Sequence, residues 1–272
     1  MLPLVTVVIP NYNNAEFLKD SIDSVKAQTY SNIEILVVDD CSTDTSLEVL
    51  SELLLTTPHL KIYKNDHNKG VSFSRNQGVL YAAGDYITTL DPDDVYYPDK
   101  IECEINLILS KRGENVVVYS GFNSVDEELH EIPFKSKLTK FNSANGFIFK
   151  KLLYMSIPVP RDMLFSKEQF FSVGGFDESM KLYEDWDFKL KLASKYKFYY
   201  SGSCGVKYRR HRNGLSAVDF SKHKIVMKEV FFKHAAVVGG IYPIFRIING
   251  RGLLSKAIKL IIYTPFFNFF FK

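Results

Sequence analysis

The segment Asp85-Tyr86-Ile87-Thr88-Thr89-Leu90-Asp91-Pro92-Asp93-Asp94 runs from a short stretch of β-forming residues into three carboxylates within four positions. Folding alone does not ask for such a cluster. Like charges this close repel, and each carboxylate raises its neighbours' pKa. A hard divalent cation relieves the conflict, because Mg²⁺ and Mn²⁺ prefer carboxylate oxygen and usually share their shell with substrate phosphates. Asp-Pro-Asp-Asp is also good turn chemistry. Taken by itself, the segment leaves both readings open.

The elements around it decide where those carboxylates can point. Val5 to Ile9, Glu34 to Val38, Leu60 to Tyr63 and Tyr86 to Leu90 read as short buried strands. Between them, apolar positions at helical spacing predict helices from about Ala15 to Gln28, after Asp44 as N-cap, and from Val71 to Ala83 with Gly84 as the residue closing the helix. Pro98 stands near the start of another helix, and Val116 to Tyr119 is a further strand. Strand–helix alternation of this kind predicts an α/β fold with a mainly parallel, doubly wound sheet. Ligands bind such sheets at the carboxyl ends of the strands. Pro10-Asn11-Tyr12, Asp39-Asp40 and Asp91–Asp94 all fall at strand ends, so the fold gathers them on one rim.

The second half is less regular. Residues 121–147 read as a long loop or small hairpin, Gly174-Gly175-Phe176-Asp177 as a tight turn, and Tyr183–Phe188 as the opening of a helix that ends near Tyr196. Phe198 to Tyr208 reads as one or two strands around Gly202. The dinucleotide fingerprint GxGxxG, the GxxxxGK[ST] phosphate loop, HExxH and GxSxG are all absent. Cys41, Cys103 and Cys204 are scattered and odd in number, which argues against a disulfide framework or a zinc site. Met1-Leu2-Pro3 leads straight into the first strand with no basic leader, so the expected compartment is the cytoplasm.

Charge is unevenly distributed. Residues 221–272 carry nine basic side chains against Glu229 alone, a net of +8, which leaves −5 on residues 1–220 of a chain whose net is +3. Leu253, Leu254, Ala257, Ile258 and Ile261 keep helical spacing, and five phenylalanines follow Pro265. Lys256 and Lys259 interrupt a run that would need about 20 apolar residues to span a bilayer. The tail therefore reads as an interfacial helix on an anionic membrane, or as helices packed on protein. Long apolar runs between its basic residues argue against nucleic acid. The expected organisation is a catalytic domain over 1–220 and a basic, apolar helical tail over 221–272.

Five segments, in order, resemble the inverting family 2 glycosyltransferases of GT-A fold. They are Val5-Thr6-Val7-Val8-Ile9-Pro10-Asn11-Tyr12-Asn13, Val37 to Asp44, Asn68 to Gly78, Leu90 to Asp94 as the DxD motif, and Glu184-Asp185-Trp186-Asp187 followed by Tyr208-Arg209-Arg210-His211. The resemblance spans residues 4 to 216. It implies that Pro10 and Tyr12 line a uracil and ribose pocket, and that Asp39 accepts the N3–H of uracil or thymine, as a carboxylate can. It implies Arg75 on base or phosphate, Asp93 on a metal, Asp91 on ribose or metal, and Asp94 beside them in a role not separable. Asp185 is the implied base, with Glu184 its helper or the base itself. His211 is the implied metal ligand from the far side, Arg209 a pyrophosphate contact and Ser216 a phosphate contact. Each has a plainer alternative. Asp39 can serve a cap or turn, Tyr12 can be a packed surface aromatic, and Arg75 can pair with a nearby aspartate. Glu184 and Asp185 can simply favour a helix N-terminus, and His211 can sit in a basic surface loop. Trp186 fits the core or an acceptor wall.

The activity implied is metal-dependent transfer of a sugar from a nucleotide diphosphate donor, a UDP-sugar foremost, to a hydroxyl acceptor, using Mn²⁺ or Mg²⁺. A lipid-linked saccharide at the cytoplasmic face, in surface polysaccharide synthesis, is the expected acceptor. A sugar-nucleotide-binding assembly subunit without catalysis requires a damaged site, yet Asp93, Asp185 and His211 are present. An aspartate-nucleophile phosphatase places its DxD near the first strand and before Thr or Val, and neither holds here. Residues 121–180 carry no pattern that names the sugar or acceptor.

Overall fold

The computed structural model describes residues 2–111, 113–132, 143–211 and 220–235. In chain order the elements are β1 (Val5–Asn11), α1 (Ala15–Lys26), β2 (Ile33–Asp39), α2 (Ser46–Thr56), β3 (Leu60–Lys64), α3 (Val71–Tyr81), β4 (Tyr86–Thr89), β5 (Val95–Tyr96), α4 (Lys100–Ser110), β6 (Val116–Val125), α5 (Phe149–Leu153), β7 (Phe165–Ser166), α6 (Lys167–Ser172), α7 (Glu184–Ala193), β8 (Lys197–Arg209) and α8 (Phe220–Ala235). The main sheet has the order β3-β2-β1-β4-β7, parallel except for β7 at its edge. A second sheet, β5-β8-β6, carries the other half of the chain. The two are joined where Val118 and Leu164 exchange backbone hydrogen bonds of 3.0 and 2.8 Å. This is the expected α/β architecture of helices flanking a mainly parallel sheet.

All seven residues of β1 are buried because helices cover both faces of the sheet. Val5, Val7 and Ile9 pack with Leu18, Ile22 and Val25 of α1, Leu50 and Leu53 of α2, and Ile101 and Ile105 of α4. Val8 joins the opposite core with Val79, Phe165, Trp186, Phe188 and Leu190. Register then does the positioning. Asn11 pairs with Asp39, and Val8 pairs with Thr89, two residues before Asp91 opens the acidic segment. The strand ends that carry the polar residues therefore sit side by side.

Several local expectations change. Asp44 is not the N-cap of α2, which is Thr45. Its carboxylate instead accepts from the Ser46 amide at 3.0 Å and the Ala15 amide at 3.0 Å, so one side chain serves the first residues of α2 and α1 together. Gly84 does not close α3 in a left-handed conformation. It is required because a Cβ there would sit 2.7 Å from Thr6 Oγ1 and 2.8 Å from the Leu4 carbonyl. The strand beginning at Val116 runs on to Val125, paired parallel with β8, so the irregular stretch starts later than its polarity indicates. A tight hairpin tip follows at Asp126–His130, and residues 133–142 lie outside the described residues.

The basic C-terminal region also begins inside the fold. Met227, Val230, Phe231 and Ala235 of α8 are buried in the same core as Trp186 and Phe188. Asp187 of α7, fully buried, hydrogen-bonds His234 at 2.8 Å and forms ion pairs with Lys233 at 2.8 Å and Lys191 at 2.9 Å. Packing of the globular unit therefore continues through residue 235, past the boundary that charge placed at 220. The expected tail helix at 253–261 and its phenylalanines lie outside the described residues. No described helix is long and apolar enough to cross a membrane.

Candidate active site

The acidic segment is a turn and a carboxylate cluster at once. The Asp94 amide donates to the Asp91 carbonyl at 3.0 Å, with Pro92 and Asp93 between, and the turn brings carboxylate oxygens of Asp91, Asp93 and Asp94 within 4.8 Å of one another. β8 delivers His211 from the far side, its Nε2 2.9 Å from Asp93 Oδ2. That hydrogen bond raises the His211 pKa above its ordinary value. Asp94 is 1% exposed, with Oδ1 accepting from the Arg209 amide at 2.9 Å and Oδ2 without a hydrogen-bond partner among the described residues. Burial, then the Asp93 and Asp91 charges, push its carboxyl well above the usual range, with Arg161 opposing. An orphaned buried oxygen among three crowded carboxylates, with an imidazole against them, is a donor set that fits a divalent cation.

Two arginines thread this cluster. Arg75, on α3, is 1% exposed and donates to Asp91 Oδ1 at 2.8 Å and to Glu184 Oε1 at 2.8 Å, with Phe176 below its guanidinium at 5.3 Å. The expected contact is with base or phosphate; here Nη1 and Nη2 face protein carboxylates, and the buried Nε has no hydrogen-bond partner among the described residues. Arg75 instead ties the acidic turn to the first residue of α7, over 109 positions of sequence. Arg161, which the motif pattern did not flag, bonds Asp91 Oδ2 through Nη1 and lies 3.7 Å from Asp94 Oδ2 through Nη2. It stacks on the Tyr208 ring at 4.8 Å. Burial pushes Asp91 up, but Arg161 and Arg75 together hold it below the ordinary carboxylate range.

Arg209 is corrected in the same way as Arg75. Its side chain is 3% exposed and donates to the Asp93 carbonyl at 2.8 Å, the Glu127 carbonyl at 2.6 Å and Asp20 at 2.8 Å, over the Phe17 ring at 4.7 Å. It fastens the acidic turn to α1 and the hairpin tip, with three of its five N–H groups committed there. Ser216 lies outside the described residues.

At the nucleotide end of the rim, Pro10 is buried and Tyr12 is 44% exposed. Asp39 is 0% exposed, and it accepts from Asn11 Nδ2 at 2.8 Å, Ser42 Oγ at 2.6 Å and the Ser42 amide at 2.9 Å. Its Oδ1 has one donor among the described residues and keeps acceptor capacity. Here Asp39 shapes the loop. Asp40 does the same for the next one, accepting from Asn65 at 2.7 Å and the Lys69 and Gly70 amides at 2.9 and 2.7 Å. Gly70, at φ +90°, is the residue that lets the chain turn into α3 there.

The two acids at the start of α7 separate by environment. Glu184 is buried and held by Arg75. Asp185 has a side chain 29% exposed, pairs with Lys189 at 2.7 Å, and lines a cavity of about 220 Å³. Burial raises its pKa, but Lys189, Arg161 and Arg75 outweigh it and bring the value down to about 2, so it stands ionised at neutral pH. Both acids border the cavity, but Glu184 is tied to Arg75 and its side chain is 9% exposed, so Asp185 is the more accessible of the pair. Trp186 serves both expectations: it is 5% exposed, donates Nε1–H to the Leu152 carbonyl at 2.9 Å and lines the cavity. Asp162, also missed, lines it too; it is 1% exposed with neither carboxylate oxygen hydrogen-bonded among the described residues, and burial lifts its pKa to about 7. Arg161 and Asp162 sit in a proline-rich connection, Pro158-Val159-Pro160, whose only sequence signal is an adjacent charge pair entering a strand.

The profile of glycosyl transferase family 2 matches residues 6–164, more than half of the chain. The chain belongs to that family. It is 32% identical over 209 residues to an uncharacterized glycosyltransferase of Rickettsia typhi, covering 77% of this chain and 64% of that protein. It is 32% identical over 127 residues to glycosyltransferase GlyG of Streptococcus pneumoniae, covering 47% and 42% of the two chains. The chain thus spans 64% of the length of the Rickettsia typhi relative. Among solved structures, the chain is similar in fold to S. aureus TarS residues 1–349 in complex with UDP-GlcNAc, at a TM-score of 0.66 and 18% identity, over 84% of this chain and 65% of that one. The GT-A fold expected from the motifs is the fold observed.

Proposed function

We propose that the chain transfers a sugar from a nucleotide diphosphate donor to a hydroxyl acceptor with inversion at the anomeric carbon. The observation that carries this is the single buried guanidinium of Arg75 joining Asp91 of the acidic turn to Glu184 beside Asp185. One rigid tie sets the distance between a leaving-group site and a proton acceptor. TarS has been crystallised with UDP and with UDP-GlcNAc, which supports a UDP-sugar as donor.

Asp93, Asp91, Asp94 and His211 would hold Mn²⁺ or Mg²⁺, the imidazole favouring Mn²⁺ over the oxygen-demanding Mg²⁺. When bound, the cation supplies Lewis-acid neutralisation of the departing diphosphate. Tyr12 and Pro10 flank the base, with Asp39 its N–H acceptor. The acceptor oxygen bonds to the anomeric carbon while its proton passes to Asp185. The anomeric C–O bond breaks, and its electron pair leaves on the nucleoside diphosphate. Glu184 holds the start of α7 in place through Arg75. A peripheral station at the inner face of the cell membrane, through residues 236–272, belongs to the same proposal.

Turnover of a panel of nucleotide sugars, with Mn²⁺ and with chelator, tests the reading. The expected result is Mn²⁺-dependent turnover of a UDP-sugar, abolished by Asp93→Ala. Metal-independent turnover removes the acidic turn from its role, and absence of turnover across the panel removes the transferase.

A further inference from the structure

We infer that the cavity beside Asp185 is an acceptor site built for an anionic amphiphile, a lipid phosphate whose chain enters the cavity and whose charge meets Lys181 and Arg210. The inference rests on the proposed role of Asp185 and deepens it.

Three observations carry it. First, the cavity that Asp185 lines is mostly apolar, walled by Leu152, Met155, Ile157, Val159, Leu182 and Trp186. Asp162, Glu184 and Asp185 give the cavity one acidic edge, set against Arg161, Lys181, Lys189 and Arg210, while the six apolar side chains offer a sugar hydroxyl no partner. Apolar walls reward methylene groups instead, at about 0.8 kcal/mol for each one buried.

Second, the backbone is strained at this wall. Met155 at φ 48° and Tyr183 at φ 62° are non-glycine residues in the left-handed region, and both line the cavity. Such residues are uncommon, and they cluster where surrounding structure holds them for a purpose. Tyr183 immediately precedes α7, and its hydroxyl meets His223 Nδ1 at 3.1 Å. α8 thereby closes one side of the cavity, since His223 lines it as well.

Third, the cavity's cations are not all paired. Lys189 is committed to Asp185 and the Val159 carbonyl, and Arg161 to Asp91. Lys181 is exposed, and Arg210 lies over the Tyr208 ring at 4.5 Å. Neither has an ion-pair partner among the described residues. Two available cations beside an apolar cavity match a phosphate at the head of a hydrocarbon chain.

The chain's single tryptophan lines this cavity, so its fluorescence reports occupancy directly, without any turnover. Full-length protein is titrated with decyl phosphate, decyl glucoside and glucose 1-phosphate, all below micelle formation. Decyl phosphate is expected to give a saturable change with an affinity at least about tenfold above either of the others, or about 1.4 kcal/mol. Shortening the chain is expected to weaken binding by up to about fourfold per methylene, the equivalent of 0.8 kcal/mol. Met155→Glu is expected to weaken decyl phosphate by about tenfold or more, while Met155→Leu stays within about twofold. Lys181→Gln with Arg210→Gln is expected to erase the preference for phosphate over glucoside. Equal binding of glucose 1-phosphate and decyl phosphate, or no saturable response to decyl phosphate, overturns the inference. Donor turnover is scored separately: its loss with amphiphile binding intact sinks the transferase reading and leaves the binding preference of the cavity standing.

Discussion

Arg75 is the residue whose removal tests the architecture of the site most directly. Its side chain is 1% exposed, and its two carboxylate partners, Asp91 and Glu184, are 15% and 9% exposed. Arg75→Met keeps most of the volume and removes the charge. Asp91 retains Arg161, but Glu184 loses its ion-pair partner. Removing one partner of a buried pair costs about 3–5 kcal/mol, because the remaining charge stays buried without compensation. With one of two carboxylates still paired, the lower end applies, about 3 kcal/mol. At about 2–4 °C per kcal/mol for a domain of this size, the melting temperature falls by about 6–12 °C. Glu184→Gln added to Arg75→Met removes the stranded charge and is expected to restore most of that loss, giving a coupling energy of about 2 kcal/mol in the double-mutant cycle. The restored double variant should still transfer poorly, since nothing then fixes Asp185 against the acidic turn. The readout is thermal unfolding by circular dichroism at neutral pH. An Arg75→Met melt within about 2 °C of the parent, or no recovery on adding Glu184→Gln, refutes the claim that this guanidinium holds the two halves together.

Asp185→Asn should keep donor binding by calorimetry and lose about 10²–10⁴-fold in transfer rate; a rate near the parent's transfers the role elsewhere. Burial holds the folded-state pKa of Asp162 at about 7, above the ordinary 3.8, so the folded chain keeps a proton that the unfolded chain releases. Stability therefore declines as pH rises from about 4 to about 7, by at most about 4 kcal/mol. Asp162→Asn should flatten that slope and melt higher than the parent at pH 8 but not at pH 4, and an unchanged slope in thermal melts rejects the assignment. Asp44→Ala should cost about 1 kcal/mol in chemical denaturation by stripping the first amides of two helices. Its carboxyl is held below the ordinary value, burial being outweighed by the Ser46 and Ala15 bonds. The stabilisation is accordingly present at neutral pH and disappears as pH falls through that lowered pKa, and a loss independent of pH points to another cause.

Periodicity and punctuation made the main sheet legible, because a strand buried on both faces must be a continuous apolar run and its partner helices must show a stripe. The acidic turn and the Glu184-Asp185 pair were legible because their residue types have few other uses at strand and helix ends. Depth was not legible. Arg75 and Arg209 carry the residue type suited to phosphate, and only the structure reveals that both are buried with N–H groups already given to Asp91, Glu184, Asp20 and backbone carbonyls. Arg161 and Asp162 stand in a connection without periodicity, where nothing in the sequence sets side-chain direction. α8 looked like part of a basic tail because its charges are frequent. Yet Met227, Val230 and Phe231 share one buried face, and composition averages that face away.

The bond from Arg209 to Asp20 joins residues 189 positions apart, and His211 reaches Asp93 across 118. On a ribosome the acidic turn is finished long before the residues that fasten it. Contacts of such long sequence separation form late, since loop closure must precede their reward. Arg75 is already synthesised when the turn emerges and can pair with Asp91 at once, whereas Asp93 and Asp94 wait for Arg161, Arg209 and His211. For that interval the nascent rim carries more uncompensated negative charge than the finished site, and the arrival of Arg161 and then His211 offsets it.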